Sequence, residues 1–314
     1  MHNLIRYWNQ NRKQIIRGVV IIVFIFIIIQ LINLMMRKEN EDQIANAIQN
    51  NTNNVTETKT ESSNTLVSDK SAVTGQEISK QDLSNATDII YSFITYCNNQ
   101  DFENAYNLLT EECKQQMFSS VDVFKKAYYD NVFNGQKKNC TIENWVNDTY
   151  KVNIKEDMLS TGKATEYSKQ DYMTIKKDGE AYKLNINNYI GYTKIDKTTT
   201  RDNISMQVVG KNTYKDDEEY TIKVTNSTDS TVQLDAVSSA KTLYLEDEKG
   251  AKYSYYNHEL TDQMLTVEAG QTKEIKIKFY SSYVSTKNIK YIVFSNISLK
   301  NGQLSETLEF EANV

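Results

Sequence analysis

Apolar and polar positions change their rhythm several times along the chain, and each change marks an element. From Val19 to Met36 the residues read VVIIVFIFIIIQLINLMM, without a break or a charge. As a helix rising 1.5 Å per residue this stretch spans about 27 Å, close to the thickness of a bilayer's hydrocarbon core. A membrane helix is therefore predicted over 18–36, behind a basic tail at 1–17. Periodicity then disappears. No aromatic residue occurs between Glu39 and Lys80, where Asn, Thr, Ser, Glu and Lys dominate. Too little apolar surface is available to offset the entropy of ordering, so 37–80 is predicted to be a disordered linker, roughly 35 Å from end to end.

Helical spacing follows. Ala86, Ile89, Ile90, Phe93, Ile94 and Cys97 predict a helix ending near Asn98 behind caps Asp82 and Ser84. A second helix is expected behind Asp101 along Phe102, Ala105, Leu109 and Cys113, and a third from Ser120 through Phe124, Ala127 and Tyr128 to about Val132. After Gly135 the period falls to two, with strands over Thr141–Val146 and along Tyr150, Val152 and Ile154. The clearest hairpin is DYMTIKKDGEAYKLNI, turning at Asp178-Gly179. Helices followed by a meander give an α+β domain over 81–195. Beyond a short joint near Tyr192 to Thr200, brief alternating strands punctuated by turn residues predict an all-β sandwich over 200–314. The expected fold class is thus α+β plus all-β, after an N-terminal transmembrane helix.

Charge orients this plan. Arg6, Arg12, Lys13 and Arg17 precede the apolar span with no acid among them, whereas Glu39, Glu41 and Asp42 follow Arg37 and Lys38. The basic bias sets the N-terminus in the cytoplasm and the remainder outside. A cleaved signal peptide is the competing reading. Its apolar region would be shorter, and no small-residue cleavage pair sits just beyond this span. Gln30 and Asn33 share one face of the helix, where hydrogen bonds between helices would support a homo-oligomer; contact with headgroups or water is the plainer alternative. The exterior holds 30 basic against 41 acidic side chains, a net charge of −11. Such a surface repels phosphate backbones and argues against nucleic acid as a partner. The chain has no proline and only 10 glycines. With its abundant Asn, Lys, Ile and Tyr, this reads as the codon drift of an AT-rich bacterial genome.

Two resemblances rest on particular segments. The run DFENAYNLLTEECKQQM, then VDVFKKAY, then YMTIKKDGEAYKLNI resembles the nuclear-transport-factor-two-like, cystatin-like cone over about 110 residues. The segments EYTIKVTNSTDSTVQLDA and LTVEAGQTKEIKIKFY resemble immunoglobulin-like or telokin-like extracellular modules. Cone relatives include steroid isomerases, dehydratases, scaffold subunits of secretion and conjugation channels, and a domain of some transpeptidases, so the fold does not choose a function. The isomerases and dehydratases use Asp/Tyr or Asp/His pairs. This cone has no histidine, and Asp148, Asp157 and Asp171 are expected to be exposed.

Other candidate chemistry is thin. Ser238-Ser239-Ala240-Lys241 matches S-x-x-K but lacks the accompanying motifs, and His258-Glu259 lacks the second histidine of a zinc grip. Asp216 to Glu219 are expected to form a solvated acidic loop rather than a calcium site. Cys97, Cys113 and Cys140 are expected to be buried thiols, with a helical hairpin keeping the first two apart and pairing with Cys140 left open. No catalytic residue, cofactor or metal is predicted. Twenty of 21 tyrosines follow residue 90. Tyr253, Tyr255, Tyr256, Tyr280 and Tyr283 are candidate recognition aromatics, with strand propensity as the alternative explanation. The expected function is a non-catalytic, membrane-anchored extracellular binding or scaffold protein of a bacterial envelope, with the bilayer and an envelope protein as partners. Alternatives are a scaffold subunit of a secretion or conjugation channel and, more weakly, a wall-processing or small-molecule-binding protein.

Overall fold

A computed structural model describes residues 65–66, 68–156, 168–235, 242–256, 260–284, 287–299, 302–303 and 308–311. The predicted membrane span 18–36, with Gln30 and Asn33, lies outside them. Among the described residues no helix is long and apolar enough to cross a membrane.

Helix α1 (Lys80–Asn98) starts where Ser79 accepts the Asp82 N–H at 3.1 Å, one turn ahead of the caps expected from the sequence. Leu83, Ala86, Ile90, Phe93, Ile94 and Cys97 line its buried stripe. The single second helix expected from Asp101 to Cys113 is two. α2 (Phe102–Asn107) stops, and α3 (Glu111–Met117) begins behind Thr110, whose hydroxyl accepts the Cys113 N–H at 2.9 Å. Between them the backbone pairs with Leu184: Thr110 N–H donates to its carbonyl and Leu184 N–H to that of Leu108. Satisfying the open edge of a sheet outweighs one more helical turn here. The third helix combines α4 (Val121–Phe124), a π-helical turn (Lys125–Tyr129) and α5 (Asp130–Val132). The wide turn shifts the phase so that Phe124, Tyr128, Tyr129, Val132 and Phe133 all face inward.

These helices cover a five-stranded sheet in the order β1 (Thr65–Leu66), β2 (Lys138–Val146), β3 (Thr149–Glu156), β4 (Ser168–Asp178), β5 (Ala181–Asn185). β2 to β5 form an antiparallel meander, and the β4–β5 turn falls at Gly179, with φ +63°, as Asp178-Gly179 predicts. β1 runs parallel to β2. The linker prediction thus fails at its end. Ser71 is buried, and the Ala72 and Val73 N–H groups donate to the carbonyls of Asn144 and Trp145. An edge strand can order a segment poor in apolar residues by pairing its backbone.

The second core lies among three further sheets. One has the order β13 (Thr272–Tyr280), β8 (Asp217–Asn226), β7 (Ile204–Tyr214), β6 (Tyr189–Arg201). Another has the order β11 (Lys252–Ser254), β10 (Leu243–Asp247), β14 (Ile289–Phe294), β17 (Leu308–Glu311). A small sheet joins β12 (Thr266–Val267), β9 (Val232–Gln233), β15 (Ser298–Leu299) and β16 (Gly302–Gln303). Ile204, Met206, Tyr220, Ile222, Leu245, Ile277, Phe279 and Ile292 fill the space between them. The fold is a β-rich α+β arrangement with a sandwich. The segment 192–200 is not a joint but most of β6, hydrogen-bonded to β7 along its length. The chain passes from one core to the other through a tight turn at Asn187 and Asn188, both at positive φ (+60° and +64°).

Candidate functional site

Asp171 departs most sharply from expectation. It points into the helix-covered core at 3 % exposure, rather than outward. Its carboxylate accepts the Tyr128 hydroxyl at 2.6 Å and the N–H groups of Asn187 and Asn188 at 3.0 and 2.9 Å. Burial raises its pKa against the opposing pull of these donors. The pair therefore latches the turn between the two cores. Its neighbours are close-packed rings: Tyr128 stacks on Phe124 at 5.9 Å and meets Phe93 and Phe118 edge-on. Asp148 is exposed as expected, and Asp157 lies outside the described residues.

Cys97, Cys113 and Cys140 are buried thiols that form no disulfide with one another. The continuous helical hairpin invoked to separate the first two does not exist, because the chain breaks at Leu108 to Thr110. Burial pushes the thiols of Cys113 and Cys140 up to about 12, which disfavours the thiolate form.

The acidic run does not form the solvated loop expected of it. Only Asp216 is exposed, while Asp217, Glu218 and Glu219 belong to β8. Glu218 shares the inward parity of Tyr220, Ile222 and Val224, so the strand's alternation carries it into the end of the sandwich. Opposite it, β7 contains a bulge between Val208 and Gly210. Before the bulge Ile204, Met206 and Val208 face inward; after it Lys211 and Thr213 pair with Tyr220 and Glu218 and take over that face. Lys211 Nζ donates to Glu218 at 2.9 Å, and Lys287 Nζ lies 3.7 Å from the same oxygen. The hydroxyls of Tyr220 and Ser281 donate to the other oxygen, each at 3.2 Å. A cavity of about 300 Å³ opens beside this cluster, lined also by Thr193, Thr213, Tyr283 and Asn288.

On the outer face of the same strands Glu219 accepts Gln116 of α3 at 3.1 Å, Gln116 also donates to Tyr214, and Tyr189 donates to Asn212. Tyr283 lies 6.1 Å from Trp145 and accepts a bond from Asn147. Polar and aromatic contacts thus tie the two cores together around the cavity.

The five candidate tyrosines do not make one face. Tyr255 is buried in the sandwich core, because its position on β11's continuation carries it against Phe279. Tyr253 is half-buried and donates to Asp247, and Tyr283 belongs to the junction. Tyr256 and Tyr280 do come together, stacked at 3.6 Å. Tyr280 is 50 % exposed, Tyr256 donates to Asp217, and Lys278 lies 5.8 Å from the Tyr256 ring. Sequence reading missed Lys211 and Lys287 altogether; the signal available was an E-x-Y-x-I-x-V alternation running straight out of the acidic cluster. Among the described residues no group of three or more His, Cys, Asp or Glu is placed to hold a metal ion. Ser238, Ser239, Lys241, His258 and Glu259 lie outside the described residues.

No family model matches the chain, and no curated protein or solved structure matches it.

Proposed function

We propose that the chain is a membrane-anchored, non-catalytic binding or scaffold protein of a bacterial cell envelope. Residues 1–17 lie in the cytoplasm, 18–36 cross the lipid, and a nuclear-transport-factor-two-like cone and an immunoglobulin-like sandwich are displayed outside. Gln30 and Asn33 assist self-association within the membrane. The observation that carries the binding role is the Tyr256–Tyr280 stack. It offers half-exposed aromatic surface already held by a ring partner, by Asp217 and by Lys278. Rings fixed before contact lose little conformational freedom on binding, the usual property of an interface anchor. The sealed Asp171–Tyr128 pair supports the non-catalytic half, since this Asp/Tyr arrangement among the described residues is engaged in holding a turn.

A photo-crosslinking residue placed at Lys276, exposed and on the same outward face of β13 as Tyr280, tests the reading in intact cells. A specific envelope protein should be captured, and Tyr280→Ala should reduce capture by about tenfold or more, the scale of a hot-spot truncation. Capture that does not depend on Tyr280 would remove the stack from the interface. Recovery of channel ATPase and pore subunits would assign the chain as a scaffold of a secretion or conjugation channel. Cleavage of purified cell wall by the full chain would overturn the non-catalytic role.

A further inference from the structure

The cavity at the end of the sandwich calls for a ligand independently of the tyrosine stack. It gathers two lysines from different strands and loops around one glutamate, between two sheets. Both oxygens of Glu218 are occupied, one by the two ammonium groups and the other by Tyr220 and Ser281. Among the described residues Glu218 is the one carboxylate lining the cavity and both its oxygens are taken, while each ammonium also lies over a ring, Lys211 over Tyr220 at 5.7 Å and Lys287 over Tyr253 at 6.0 Å. Each ammonium has three donors. Lys211 directs one to Glu218, and Lys287 directs one to the Ser282 carbonyl at 2.8 Å. The side chain of Lys287 is only 6 % exposed and that of Lys211 only 17 %, so a partner for the remaining donors reaches them through the cavity.

We propose that this cavity binds a singly charged carboxylate, held between Lys211 and Lys287 with the polar side chains of Thr193, Thr213 and Asn288 beside it. Three observations fix the class. Two ammonium groups against one carboxylate leave one net positive charge, which a carboxylate cancels and a dianionic phosphate overshoots. The adjoining depression adds Asp247 and Glu248 against one further lysine, Lys249, and so no extra positive charge for a polyanion. The volume, about 300 Å³, is at the small end of ligand sites. Burial holds the Lys287 ammonium below the usual lysine range, and an anion beside it would restore the charge. Two sources carry the same chemistry: a free small acid, and the C-terminal carboxylate of a peptide.

Calorimetric titration of the full chain in detergent micelles distinguishes them. Lactate represents the free acid, alanyl-alanine the peptide end, its C-terminal amide the uncharged control, and inorganic phosphate the dianion. Saturable heat is expected from lactate, from alanyl-alanine or from both, with none from the amide; whichever acid binds more tightly identifies the source. Lys287→Met should weaken binding by about tenfold or more, and Lys287→Arg should stay within about threefold of the wild type. As a measurement on the unaltered chain, saturating acid should slow modification of Lys287 by an amine-reactive label. No saturable heat from either acid, phosphate binding more tightly than both, or unchanged labelling would overturn the assignment. Loss of this site would leave the tyrosine surface untouched, since Tyr280 takes no part in the cavity.

Discussion

At the residue scale, Asp171 shows how a group can be chemically suggestive and structurally committed. Three donors converge on a carboxylate that water does not reach. Asp171→Ala would orphan all of them, and buried donors without partners cost about 1–3 kcal/mol each. A loss of about 3 kcal/mol is expected from the midpoint of urea unfolding. The pH dependence has a definite sign. Burial raises the folded pKa above the ordinary 3.8, so the folded state holds this proton more tightly than the unfolded chain. Its contribution is complete below the unfolded pKa and is lost as pH rises through the folded one. Asp171→Asn keeps the shape and cannot titrate, so the fall in stability from about pH 4 upward should be shallower than in the wild type. Equal slopes would show that another group carries it.

The element that decides the cavity is β7. A single extra residue at its bulge moves Lys211 and Thr213 onto the inner face, where the strand's earlier parity would have placed Asn212 and Tyr214. Gly210 makes this geometry attainable. A Cβ there would run into the Tyr192 ring and come within 2.7 Å of the Thr193 carbonyl. Gly210→Ala is expected to cost about 2 kcal/mol, as overpacking does, because one of the opposing groups is backbone and cannot yield. Differential scanning calorimetry reads the loss. The same variant should bind carboxylate more weakly, since Thr193 and Lys211 flank the cavity. The broken second helix teaches a related lesson. Its apolar line through Leu109 to Cys113 is correct, yet the open edge at Leu184 takes the backbone of Leu108 to Thr110 out of the helix.

For the whole molecule, the junction makes two cores behave as one body. Asp171 reaches from the sheet under the helices to the turn that enters β6, and Gln116 of α3 bonds to Tyr214 and Glu219 of the sandwich. Trp145 and Tyr283 close the opposite side. Unfolding is expected to be a single transition. With Trp8→Phe removing the other indole, Trp145 fluorescence and far-UV circular dichroism should give coincident urea curves. Separated curves would show that the cores unfold independently.

Much of this was legible because periodicity is a local property. The stripe from Ala86 to Cys97, the Asp178-Gly179 hairpin and the alternation of Ile275, Ile277 and Phe279 needed only neighbouring residues to declare themselves. The charge asymmetry around 18–36 is equally local, and it is the sequence alone that argues for a membrane anchor. What tertiary structure decided was parity, pairing and burial. Asp171 is inside because the helices lie over β4; Glu218 meets Lys211 because a bulge flips a strand; Lys287 joins them from 76 residues beyond Lys211. Residues 71–73, in a stretch without aromatic side chains, are ordered because a sheet edge lay beside them. Such outcomes depend on which distant surface satisfies a buried charge or an unpaired backbone group, and no local pattern carries that information.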